Sequence, residues 1–316
     1  MSHRELAGRP GGHVACTERT DQGGRIVRDG TSAGCASSAV AFACNGVPGS
    51  GAGNRFRPVR QRPLVLLRRE PVPTVRVNSE PRLPLKHARV LVVGVGGLGC
   101  PAAALLGQAG VGRVTLVDGD VVALSNLHRQ LVFDETDLGQ KKAPRAAAKL
   151  GAHYPATCFT AVAETLCEAN AQEILSEHDF VIDATDRWAT KLWLHDVALR
   201  SRRPLAHAGA VGWHGQALTV VPGTPGCLRC LLGVEPGIED PSCQEAGVVP
   251  GVVQTLGVRL AAEAIAWLSG WDESLLVQRF LYVDAQRGLQ RVRRFAADPH
   301  CPACSQTYDQ HANALV

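Results

Sequence analysis

Cys227-x-x-Cys230 and Cys301-x-x-Cys304 are two thiolate hooks with the spacing of a four-cysteine structural zinc site. A redox pair of the thioredoxin kind is not expected, because neither hook is placed to open a helix directly after a strand. Upstream, Gly94-Val-Gly96-Gly97-Leu-Gly99 lets backbone N–H groups approach a phosphate at a helix start, where the helix dipole favours an anion. Asp118 lies nineteen residues beyond Gly99, at the end of the next expected strand, where a carboxylate can accept from ribose hydroxyls. Those features alone fit a nicotinamide dinucleotide. The following segments, Ser125-Asn126-Leu-His-Arg129-Gln130 and Gly139-Gln-Lys141-Lys142, fit a triphosphate better, since Arg and Lys neutralise charge that shifts during phosphoryl chemistry. Asp183-Ala-Thr-Asp186 can place a carboxylate for Mg2+. The plainer alternatives are a helix cap for Asp186 and solvated charges for Arg129 and Lys142.

Positioning these groups requires a scaffold, and the pattern supplies an α/β one. Residues 89–94 form a short β-branched run ended by glycine, the signature of a buried parallel strand. A small, apolar helix over 101–110 and a strand over 112–118 complete a βαβ unit. A helix over 140–150 follows, with Pro144 near its first turn. Strands are expected at 158–162, 180–184, 204–210 and 215–221, with helices between the earlier ones, then a long amphipathic helix over 252–269. Segments 280–283 and 289–295 read as an antiparallel pair. The fold class is therefore α/β: a Rossmann-like mixed sheet with helices on both faces, C-terminal antiparallel strands and a four-cysteine zinc site.

Residues 1–75 read as a disordered N-terminal extension, rich in Gly, Arg, Ser and Ala and without period, ahead of an ordered domain over 76–316 whose last part carries both cysteine hooks. Met1 is the sole methionine, so any other start would use a Val or Leu codon. The net charge of +4 among 316 residues is too mild to imply nucleic acid. An odd count of eleven cysteines argues against a paired secreted framework and for a reducing, cytoplasmic setting. No apolar run reaches the length of a membrane span, so no membrane partner is expected. Cys16, Cys35 and Cys44 lack ligand spacing, and Cys100, Cys158 and Cys167 read as small buried hydrophobes.

Taken with Asp118-x-Asp120, Gly139-Gln-x-Lys142, Asp183-x-Thr-Asp186, both hooks and Cys243-x-Glu-Ala-Gly247, the glycine loop makes the stretch from Ala88 to Cys304 resemble the ThiF/MoeB/HesA group of ubiquitin-activating-type adenylyltransferases. The resemblance implies that ATP adenylates the C-terminal glycine of a small ubiquitin-like sulfur carrier ending in Gly-Gly, with release of pyrophosphate, in the manner of molybdopterin or thiamin biosynthesis. It implies ATP and Mg2+ as well as Zn2+, and a homodimer. Gly96 and Gly97 would line the nucleotide loop and Asp118 would hold the ribose. Ser125 belongs to the same nucleotide segment, Asn126 and Arg129 would contact phosphates, Lys142 (or Lys141) would bind the outer phosphates, and Asp186 would support Mg2+. Asp120 would order the loop that holds Arg129. Cys243 matches the group's sulfur-handling cysteine, and whether it is essential stays open.

The chain departs from the group's pattern in three places. The Arg-Tyr-x-Arg-Gln segment that reaches a neighbouring subunit's ATP has only Arg57-Pro-Val-Arg60-Gln61, or Arg68 and Arg69, as counterparts. Arg187 stands where Asn commonly follows the second Asp. No sulfurtransferase-like stretch follows the second hook, so the sulfur donor is expected to be a separate protein. Other readings are related carboxylate activation on modified tRNA or a peptide, a non-catalytic nucleotide-binding partner module and, last, a nicotinamide oxidoreductase.

Overall fold

A parallel sheet buried on both faces sets the frame, and its strand alternation shows why. In the computed structural model, which describes residues 81–233 and 247–305, Val90 and Val92 of β1 (Arg89–Val93) join one apolar cluster while Leu91 and Val93 join the other. Such a strand must be covered from both sides. The first cluster lies under α1 (Gly99–Gln108), α2 (Lys142–His153) and the long α6 (Pro250–Leu268); the second lies under α3 (Glu168–Ser176) and α4 (Trp188–Arg200). Residues 1–80, which contain the expected extension, and 306–316 lie outside the described residues.

Eight strands run in the order β3-β2-β1-β4-β5-β6-β7-β8. β2 (Arg113–Val117), β3 (Cys158–Val162), β4 (Phe180–Asp183) and β5 (Leu205–Val211) extend β1 in parallel. β6 (His214–Val220), β7 (Arg279–Asp284) and β8 (Leu289–Arg294) then add antiparallel pairs. The chain leaves β1 towards β2 and leaves β4 towards β5, so the order reverses between β1 and β4. A crevice opens at their carboxyl ends, where ligands of such sheets bind.

The long helix corrects one expectation. Among the described residues α6 is the helix long and apolar enough by composition to cross a membrane, although no such run was expected. Its Arg259 and Glu263 are tolerated because they pair with each other, and Glu263 also accepts from Thr219 and from the Leu276 backbone N–H, the latter at 2.8 Å. α6 packs on β5, β6 and α1, with Leu256 and Leu260 fully buried. Here it is a core helix.

Cysteine placement differs in part from expectation. Cys100 is buried, and desolvation pushes its thiol up to about 12. Cys158 is half-buried and Cys167 is exposed. Cys167 sits at the N-cap of α3, where its backbone N–H donates to Asn170 Oδ1 at 2.8 Å, and a cap position projects from the core.

Candidate nucleotide site and cysteine cluster

The glycine loop begins where β1 runs out. Gly94 has φ +93°, and a methyl there would lie 2.7 Å from the Ala184 carbonyl oxygen, so the loop rests directly on the end of β4. Asp118, at the end of β2, accepts from the Val95 backbone N–H at 2.7 Å and from the Asp120 N–H at 2.8 Å. Besides facing the cavity, its carboxylate staples the loop to the neighbouring strand. At Gly96 a methyl would meet only Gln130 Nε2, at 3.8 Å, so the absence of a side chain there leaves room for a ligand.

Chain segments far apart in sequence then fold over the loop. The Val122 N–H donates to the Gln140 carbonyl at 2.8 Å and the Gly139 N–H to the Val122 carbonyl at 2.9 Å, which zips residues 120–122 onto 139–142. This pairing brings Lys142 Nζ to 2.9 Å from Asp120 Oδ2, although Asp120 was expected to order the loop of Arg129. Arg129 instead donates from Nη1 to the Ser125 carbonyl at 2.9 Å, while its own carbonyl accepts from Gln254 Nε2 at 2.8 Å. Its Cδ lies 3.5 Å from where a Gly97 methyl would stand. Buried Asp137, paired with Arg145 and Lys149 of α2, anchors the turn that follows.

Asp183 and Asp186 divide the expected carboxylate role. Asp183 is fully buried and both its oxygens are engaged. Burial pushes its carboxyl up, but the charge of Lys191 and hydrogen bonds from His207 and Thr185 outweigh that and hold it below the usual carboxylate range. Asp186 is exposed and has no hydrogen bond or ion pair among the described residues. It is not the cap of α4 either: the N-cap position is Arg187, with no side-chain cap bond.

Gly96, Gly97, Asp118, Ser125, Asn126, Arg129, Lys142 and Asp186 all line one cavity of about 1210 Å³. The same cavity runs on past Arg187 to Gln216 of β6 and Tyr282 of β7. Sequence reasoning did not find Lys191, His207, Gln216 or Tyr282, which arrive from α4 and the later strands. The one legible hint was Lys191, a lone lysine near the start of the largely apolar, aromatic-containing helix segment 188–199.

The two hooks converge elsewhere. The Sγ atoms of Cys227, Cys230, Cys301 and Cys304 all lie within 4.8 Å of one another. Three of the separations are 3.9, 3.6 and 3.5 Å. A tetrahedral ion with Zn–S bonds of about 2.3 Å needs sulfurs about 3.8 Å apart, so the donor set and its spacing fit zinc. Cys227 opens a short helix, α5 (Leu228–Leu232), but residues 221–226 separate it from β6, so the hook does not start a helix directly after a strand. The cluster packs on Leu199 of α4 and on Leu218 and Val220 of β6, and none of its residues lines the cavity. Cys243, Arg57, Arg60, Gln61, Arg68 and Arg69 lie outside the described residues.

A switch-point cavity lined by a glycine loop, Asp118, Arg129, Lys142 and a carboxylate without a described partner is the setting of a nucleotide-using α/β enzyme. The model of the ThiF family matches residues 73–305. The chain is 37% identical over 232 residues to the "SAMP-activating enzyme E1" of Haloferax volcanii, covering 73% of this chain and 85% of that one. It is 36% identical over 224 residues to the "Molybdopterin-synthase adenylyltransferase" of Escherichia coli, covering 70% and 89%. The chain spans about half the length of curated relatives named "Adenylyltransferase and sulfurtransferase MOCS3", 55% of that from Caenorhabditis briggsae. A structure of Escherichia coli MccB with ATP shares the fold, with TM-score 0.62 and 22% identity over 70% of this chain and 68% of that one. The chain belongs to the ThiF family, and it is an adenylyltransferase.

Proposed function

We propose that the protein adenylates the C-terminal glycine carboxylate of a ubiquitin-like sulfur-carrier protein with ATP and Mg2+. The observation that carries this reading is the meeting of Arg129, Lys142 and Asp186 with the glycine loop and Asp118 in one cavity. Its volume of about 1210 Å³ exceeds the roughly 300–1,000 Å³ of a single small-molecule pocket, which leaves room for a peptide tail beside a nucleotide.

In this reading Gly96 and Gly97 present backbone N–H groups to phosphate, and Asp118 takes the ribose while bracing the loop. The carrier's carboxylate is already ionised near neutral pH and needs no general base. It attacks the α-phosphorus; a C–O–P link forms, the α–β P–O bond breaks, and pyrophosphate leaves with the electron pair. Arg129 and Lys142 balance the charge that moves onto the leaving oxygens, with Ser125 and Asn126 ordering the same edge. Asp186, exposed and without a described partner, would hold Mg2+, which usually takes one or two carboxylates together with phosphate oxygens and contributes charge neutralisation.

The cysteine cluster would hold a structural Zn2+ that ties the segment after β8 to α5. The assembly would be a homodimer in the cytoplasm, receiving sulfur from a separate donor protein, with Cys243 handling sulfur after adenylation. Which carrier is used decides between molybdopterin and thiamin pathways. ATP–pyrophosphate exchange with each Gly-Gly-ending carrier of the source genome tests the reading. Exchange with one of them, retained in Cys243→Ala and lost in Arg129→Ala and Asp186→Ala, supports it; absence of exchange with all of them overturns it.

A further inference from the structure

Three buried ionisable side chains at the cavity floor have no part in the chemistry above: Lys191 at the lining, with Asp183 and His207 behind it. Asp183, His207 and Lys191 are 0%, 0% and 3% exposed. Asp183 Oδ2 accepts from His207 Nδ1 at 2.9 Å and faces Lys191 Nζ at 3.5 Å; Lys191 also donates to the Ala208 carbonyl at 2.7 Å. That bond puts the His207 proton on Nδ1 and leaves Nε2 buried without a partner among the described residues. Burying such groups generally costs more stability than an apolar trio of the same volume. Stability alone therefore does not account for them.

The other oxygen of Asp183 shows what they can do. Oδ1 accepts from the Thr185 backbone N–H at 3.0 Å and from its hydroxyl at 2.7 Å. Thr185 is followed at once by Asp186, and α4 starts beyond it without a side-chain cap. The Ala184 carbonyl meanwhile abuts Gly94. Together with the Ala184 N–H bond to the Val93 carbonyl at 2.9 Å, these contacts restrain the turn that presents the Asp186 carboxylate. A carboxylate clamped from below by Lys191 and His207 has one rotamer, and its free edge dictates one conformation for the turn.

We propose that Lys191 and His207 are positioning residues that lock Asp183 and, through Thr185, aim the Asp186 carboxylate into the nucleotide cavity. The proposal rests on the reading of Asp186 as the carboxylate that holds Mg2+. Groups behind a metal-holding side chain typically change metal affinity or activity by about 10–100-fold when removed.

The test is the Mg2+ concentration that half-saturates ATP–pyrophosphate exchange in the full chain, with melting temperature and zinc content as folding controls. His207→Leu should raise that concentration by about tenfold or more. His207→Asn, whose amide N–H can replace Nδ1–H, should restore it to near the parent value, a rescue that loss of packing would not give. Thr185→Val keeps the buried trio and should raise the requirement severalfold, so it carries the test if His207→Leu does not fold. Folded His207→Leu and Thr185→Val with unchanged Mg2+ requirement would overturn the proposal. If the parent chain exchanges with no carrier, the proposed function fails by itself. Calorimetric Mg2+–ATP affinity then reads the device: the same ranking of variants sustains it, and equal affinities sink it.

Discussion

Lys142 Nζ sits 2.9 Å from the Asp120 carboxylate, and the pair is lopsided: the lysine side chain is 7% exposed and the aspartate side chain 74%. An ion pair open to water on one side adds little stability, about 1 kcal/mol or less. Its value lies in aim, because it keeps a buried ammonium turned towards the cavity. Lys142→Met is expected to lower kcat/KM for ATP–pyrophosphate exchange by about 10²–10³-fold, the scale of losing one pre-placed charge contact. Asp120→Ala should cost about tenfold in the same assay while leaving the melting temperature nearly unchanged. Exchange at the parent rate in Lys142→Met would remove Lys142 from the mechanism.

The glycines of the loop separate into two kinds. A methyl on Gly99 would stand 1.9 Å from the Gly94 carbonyl oxygen, an overlap with backbone that cannot relax. Gly99→Ala should therefore destabilise by about 3 kcal/mol, a fall of about 10 °C in melting temperature for a domain of this size. Gly96→Ala has no such clash, so it should melt like the parent yet lose nucleotide affinity. Calorimetric ATP titration beside a thermal melt distinguishes the two, and tight ATP binding by Gly96→Ala would remove that residue from the nucleotide loop.

Removal of metal provides a third check. Four thiolates converging from α5 and the segment after β8 leave Cys227, Cys301 and Cys304 buried. Elemental analysis should find about one zinc per chain, and a strong chelator should lower the melting temperature, because metal binding there is folding energy. Cys301→Ser should reproduce the chelator effect. A fully folded chain with no metal and an unchanged melt would refute a structural zinc.

Acid should weaken the fold in two stages. Burial, with Lys191 nearby, pushes His207 down to about 4, whereas an unfolded histidine titrates near 6.5. Between those values the unfolded chain binds a proton that the folded chain refuses, so stability falls as pH drops, by about 3 kcal/mol in all. Asp183 acts lower. Its folded carboxyl is held below the usual range, so its contribution is complete above the unfolded value of about 4 and is lost as pH falls further. Melting temperatures from pH 7.5 to 4.5 should slope downward, and His207→Asn should flatten that slope. A parallel slope in the variant would assign it to other groups.

The sequence by itself determined what neighbours along a chain can encode. Glycines at fixed offsets after a β-branched run predicted the loop and its helix, and paired cysteines predicted the cluster, because each is a short backbone motif with one workable geometry. Asn126, Arg129, Lys142 and Asp186 were likewise legible by type. Tertiary structure alone decided which groups are free to act. Asp183 and Asp186 are alike in sequence, yet the pairing of β4 with β5 brings His207 under the first and leaves the second facing the cavity. Asp120 meets Lys142 because residues 120–122 and 139–142 pair across a loop, and Cys167 is exposed because a helix begins there. Such contacts depend on strand register and helix packing, which sum many weak apolar contributions spread over the whole core, so no local spacing announces them.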